Sequence, residues 1–137
     1  MPLSISVTPG SSTSLHQQII DQIVAGVVAG KLAEDEMVPS VRGLAETLGI
    51  HHNTVVKAYG ELVQRGILES RAGRGMFVAP RRPMYMRSER LRRVDPLLDA
   101  AVKEALLLGF SREEILERVE DRIDALQPKS KDKSPRR

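Results

Sequence analysis

Four polar side chains in a row, His51, His52, Asn53 and Thr54, are followed by Lys57 one helical turn after Asn53. An Asn amide pairs bidentately with adenine, and a Thr offers its methyl to thymine or its hydroxyl to phosphate. Such a helix start also favours a phosphate through its free N–H groups. Upstream, Ser40 and Arg42 open another short segment. Downstream, Arg71, Gly73, Arg74 and Gly75 interleave cations with residues that permit close backbone approach. An arginine fork suits a phosphate or a base edge alike. Plainer readings stand beside these. His51 or Asn53 can simply cap a helix, Arg42 can be a solubilising surface group, and a glycine-rich loop can merely turn. Adjacent histidines on a helix point about 100° apart and His16 is remote, so no metal site is expected.

These groups need a frame, and the hydrophobic spacing supplies one. Leu3, Ile5 and Val7 alternate like a short edge strand, broken by residues 8–12. Thr13 or Ser14 can cap a first helix whose Leu15, Ile19, Ile23 and Val27 recur every four residues, with Gly30 ending it. Ser40 can cap a second helix that buries Val41, Leu44, Ala45 and Leu48 and stops at Gly49. A third helix, residues 52–65, presents Val55, Ala58, Tyr59, Leu62 and Val63 inward, the Tyr59 hydroxyl lying at the surface. The segments 67–71 and 76–79, joined by Ala72-Gly73-Arg74-Gly75, make a hairpin. Two helices around a tight turn, a third packed behind and a basic-tipped hairpin form a winged helix-turn-helix over residues 1–80, whose third helix would meet the major groove.

After Pro80 the composition changes. Residues 81–94 read as a basic connector, with Arg81, Arg82, Arg87, Arg90, Arg92 and Arg93 opposed only by Glu89; the alternative is a solvated face. Asp95-Pro96 reads as a cap and first position of a helix carrying Leu97, Leu98, Ala101, Val102, Ala105 and Leu106. After Gly109, Ser111 and Glu114 form a capping box and Phe110 with Ile115 a staple, opening a helix with Ile115, Val119, Ile123 and Leu126 on one stripe. Two short helices cannot bury these stripes alone, so residues 95–127 are expected to serve dimerisation. The last segment, 128–137, reads as a disordered basic tail. The fold class is mostly α (α+β): a winged helix-turn-helix followed by two C-terminal α-helices.

With 137 residues the chain is one domain of ordinary size with an appendage. Its core must be aliphatic, because aromatic content is 3% with no Trp. The absence of cysteine excludes disulfides and thiolate chemistry. No membrane span or signal layout is visible, so a cytoplasmic location is expected. Phosphate loops and clusters of His with carboxylates are absent too, which leaves neither an enzyme nor a cofactor to expect.

The run from Val38-Pro39-Ser40-Val41-Arg42, through His52-Asn53-Thr54-Val55-Val56-Lys57-Ala58-Tyr59, to Arg65-Gly66-Ile67-Leu68 and Gly73-Arg74-Gly75-Met76-Phe77-Val78 resembles the DNA-binding domain of GntR-family bacterial transcription regulators. The short remainder is similar to the compact YtrA-like subgroup, whose C-terminal helices serve dimerisation. The resemblance implies a dimeric repressor, occasionally an activator, on a short palindromic operator in double-stranded DNA. It also implies a phosphate or base contact for Arg42, while Lys57 faces phosphate. His52 stands where many relatives carry Arg or Pro, which implies a different operator sequence. The alternative is an architectural or partner-recruiting DNA-binding protein without small-molecule control. No residue pattern identifies an effector.

Overall fold

Three isoleucines on one face of the first helix, Ile19, Ile20 and Ile23, are fully buried with Val55, Ala58, Tyr59 and Leu62 of the third. Those side chains are the centre of the first of two compact units, Met1–Arg81 and Arg82–Arg137, in a computed structural model that describes residues 4–81 and 87–128. Unit one holds α1 (Leu15–Val28), α2 (Val41–Leu48), α3 (His52–Gln64), β1 (Leu68–Arg71) and β2 (Gly75–Val78). Unit two holds α4 (Arg87–Leu107) and α5 (Arg112–Leu126).

Local chemistry explains the helix ends in unit one. Ser14 Oγ accepts from Gln17 N–H at the start of α1, and Ser40 Oγ accepts from Gly43 N–H at 2.9 Å to start α2. Gly49 ends α2 in the left-handed region at φ 66°, where a Cβ would be strained. The Ile50 N–H then returns to the Ala45 carbonyl, which sets the angle between α2 and α3. Tyr59 is buried, and its hydroxyl does not face solvent as expected. It donates to the Pro39 carbonyl at 2.8 Å and so ties α3 to the residue preceding the α2 cap.

The N-terminal segment is not a strand. Leu3 lies outside the described residues, while Ile5 and Val7 pack on the core without a ladder partner. Glutamine side chains take the ladder's place. Gln22 accepts from Ser6 N–H at 3.0 Å and donates to its carbonyl; Gln18 does the same for Thr8, accepting at 2.8 Å. Four helical residues rise about 6 Å and two extended residues about 6.6 Å, so an i,i+4 pair matches alternate residues of an extended chain.

The hairpin pairs Leu68 with Val78 and Arg71 with Gly75. Its outer edge is also used. Met37 bridges to Phe77, the Val38 N–H donates to Met76, and the Val78 N–H donates to Glu36. Val63 departs from the sequence reading: it is 40% exposed rather than on the inner face of α3.

Unit two corrects the expected connector. α4 already runs from Arg87, and Pro96 lies inside it rather than opening it. Pro96 removes one N–H and fits helical φ. The apolar stripe of Leu91, Val94, Leu98 and Val102 continues past it on the other side of the helix. Gly109, at φ 88°, ends the helix region with Phe110 N–H donating to Ala105. The capping box forms: Ser111 Oγ accepts from Glu114 N–H at 3.2 Å, and the Glu114 carboxylate accepts from Ser111 N–H at 3.0 Å. Those bonds, the backbone one first, hold the Glu114 carboxyl below its ordinary pKa. No residue of α4 or α5 is buried. Most of the tail, residues 129–137, lies outside the described residues.

Candidate nucleic-acid interface

The exposed side of α3 carries His52, Asn53, Val56, Lys57 and Gly60. Their i, i+1, i+4, i+5 and i+8 spacing puts them on one face, opposite Val55, Ala58, Tyr59 and Leu62. His51 is the N-cap, its Nδ1 accepting from the Asn53 N–H at 3.0 Å. In the neutral ring the proton is therefore on Nε2, which faces outward as a donor. The Asn53 side-chain amide is exposed and has no partner among the described residues. Thr54 is half-buried, with its N–H on the His51 carbonyl.

Across the turn, Arg42 and His52 border one shallow depression with Ala45, Glu46, Gly49 and Ile50. Arg42 and Lys57 are exposed, and neither makes an ion pair among the described residues. Ser40 is exposed, but its hydroxyl serves the α2 cap. Sequence reading passed over two neighbours. Glu46 brings a carboxylate to the depression's edge, and Val56 brings an apolar side chain, 45% exposed, to the α3 face. The signal for Val56 was the helical spacing itself, which places it four residues from His52.

The two wing arginines part company. Arg71 pairs with both Asp35 and Glu69, the latter at 2.8 Å, and lies 4.4 Å from the Phe77 ring centre. Hydrogen bonds to Asp35 and then Glu69 raise its pKa. Its head is occupied by the carboxylates of Asp35 and Glu69, although its backbone lies at the turn end of the hairpin, opposite Gly75. Arg74 lies at the tip, 5.7 Å from the same ring and without an ion pair among the described residues. Gly73 and Gly75 flank it at φ 70° and 116°, angles that side chains rarely adopt. Arg42, His52, Asn53 and Lys57 thus share the helix-turn-helix surface, Arg74 tips the wing, and Arg71 is a brace.

Of the expected dimerisation residues, Leu98, Ala101, Val102, Ala105, Ile115, Val119 and Ile123 line one largely apolar groove of about 360 Å³ within unit two, with Phe110, Leu126 and the side chains of Arg118 and Arg122. Leu97 and Leu106 are exposed and do not line it. Among the described residues, no group of three or more His, Asp or Glu is placed to hold a metal, and no helix is long and apolar enough to cross a membrane.

Residues 15–78 match the family described as bacterial regulatory proteins, gntR family. The HTH-type transcriptional regulator YhcF of Bacillus subtilis is 34% identical over 109 residues, covering 78% of this chain and 88% of that protein. The HTH-type transcriptional repressor YtrA of the same organism is 30% identical over 117 residues, covering 85% and 90%. A crystal structure described as a transcriptional antiterminator from Listeria monocytogenes superposes with a TM-score of 0.81 at 25% identity, covering 98% of this chain and all of that one. The chain belongs to the GntR family of bacterial transcription regulators, among YtrA-like relatives, and its winged helix-turn-helix is a DNA-binding domain.

Proposed function

We propose that the protein is a homodimeric repressor of a short palindromic operator. In this reading Asn53 reads a base from α3, with His52 beside it. Arg42, Lys57 and Arg74 hold phosphates, and the glycines beside Arg74 let the wing approach the sugar-phosphate backbone. The observation that carries the dimer is the state of unit two. The two helices bury no residue, while Leu98, Val102, Val119 and Ile123 remain 37–51% exposed around a groove. Burying such a side chain is worth roughly 1.5–3 kcal/mol, so leaving the whole set in water is costly. A second copy presenting the same faces supplies the missing cover. A two-fold dimer also matches an inverted repeat. The repressor sense follows that of the relative YtrA. The protein acts by binding rather than by catalysis.

Selection of binding sites from random duplex, followed by footprinting and sedimentation of the complex, tests this. One protected inverted repeat with two chains bound supports the proposal. Diffuse protection at every sequence supports an architectural protein instead, and a single chain on a single half-site removes the dimer.

A further inference from the structure

The first two turns of α4 contain Arg87, Arg90, Arg92 and Arg93 against Glu89 alone. Helix physics disfavours that arrangement. The N-terminal end of a helix carries partial positive charge and prefers carboxylates. Arg87 with Arg90, and Arg90 with Arg93, are also like-charge neighbours three residues apart. Glu89 answers only part of the charge, lying 3.1 Å from Arg92 and 3.7 Å from Arg93. Arg87 and Arg90 make no ion pair among the described residues. All four arginines are exposed, Arg92 with 75% of its side chain in solvent. The seven residues 87–93 carry a formal +3, as much as the entire chain. A helix that concentrates the molecule's net charge where its own dipole opposes it is built for an external anion.

We propose that this arginine-rich start of α4 is a second DNA contact, holding backbone phosphates of duplex flanking the stretch read by α3 and the wing. It rests on the reading of unit one as the operator-binding surface and extends it to α4. Guanidinium forks match phosphate oxygens, and four of them suit a regular polyanion better than a single carboxylate. Covalent reach is adequate. Arg81 is anchored by its N–H on Glu34 and its guanidinium on the Val27 carbonyl. Only six peptide units separate it from Arg87, a reach of at most about 22 Å, or about six base pairs of duplex.

The full-length chain is titrated by fluorescence anisotropy over a range of salt. One duplex carries only the selected operator; the other adds about ten base pairs on each side. The variant is the double change Arg87→Gln with Arg90→Gln, and Arg87→Lys with Arg90→Lys is the charge-keeping control. On the long duplex the Gln variant should bind more weakly, with a log K against log salt slope smaller by about 0.9 for each phosphate it no longer neutralises. On the short duplex it should match wild type, and the Lys pair should keep the full slope on both. Thermal stability of the Gln variant should hold or rise, because two cations leave a helix N-terminus. Unchanged slopes on both duplexes make the arginines merely solvated and overturn the proposal. Equal losses on both place the arginines inside the operator contact and also overturn it. A changed oligomeric state assigns them to a protein interface and overturns it as well. If wild type binds neither duplex, the operator reading falls instead.

Discussion

The free amide of Asn53 is the sharpest chemical group on α3. The side chain is exposed and has no partner among the described residues, so it is available to an outside one. Asn53→Ala should cost roughly 1–3 kcal/mol on the selected operator and much less on random duplex; equal losses measured by anisotropy would remove it from base readout. Arg71 and Arg74 look interchangeable in sequence, three residues apart beside glycines. What separates them is Asp35, 36 residues away, which no local pattern could have paired with Arg71. Arg71→Ala should therefore lower the melting temperature while leaving the salt dependence of DNA binding intact. Arg74→Ala should do the reverse, leaving melting intact and reducing the salt slope by about 0.9. Salt titration together with calorimetry of both variants separates the two roles. Ser40 is the opposite case: its place just before Val41 marked it as a helix cap, and its hydroxyl accepts from the Gly43 N–H as expected.

Among the elements, what sequence revealed followed the distance over which each signal acts. Ser111 and Glu114 satisfy each other across three residues, so the capping box could be read and formed as expected. The edge pairing of Met37 with Phe77 spans 40 residues, and no local periodicity announces it. Pro96 misled because a local rule, Pro at a helix start, competed with a longer apolar stripe that begins at Leu91. The amphipathic pattern of α3 marked its buried face, except that Val63 falls at the rim, 40% exposed. The link between α3 and the α2 cap through Tyr59 carries its own pH test. Burial raises the Tyr59 pKa, so the folded state holds the phenol proton more tightly than the unfolded chain, which releases it near pH 10. That contribution is complete below pH 10 and declines as pH rises above it. Melting temperatures between pH 8 and 11.5 should fall past pH 10. Tyr59→Phe should melt lower at pH 8, because the half-buried Pro39 carbonyl loses its donor at a cost of about 0.5–1.5 kcal/mol. It should also lose most of the alkaline slope; an unchanged slope would assign the titration elsewhere.

At the scale of the whole molecule, the chain joins a self-sufficient unit to one that is not. Unit one has a closed aliphatic core and buried anchors on every helix, so its fold asks nothing of a partner. Unit two has a capping box at the start of α5 and no buried side chain, so its stability has to come from association. The consequence is a concentration-dependent melt: mass action stabilises the helices as protomer concentration rises, while unit one melts at a fixed temperature. Val119, 41% exposed in the groove wall, is the place to break this, because Val119→Asp puts a charge where a second copy would exclude water. The variant should sediment as a monomer at concentrations where wild type is dimeric, and its α4 and α5 helicity should melt earlier. It should keep weak affinity for a single half-site yet lose the gain from the inverted repeat, since two linked readers act at high effective concentration. A Val119→Asp protein that stays dimeric and binds the full repeat as wild type does would move the interface off the groove.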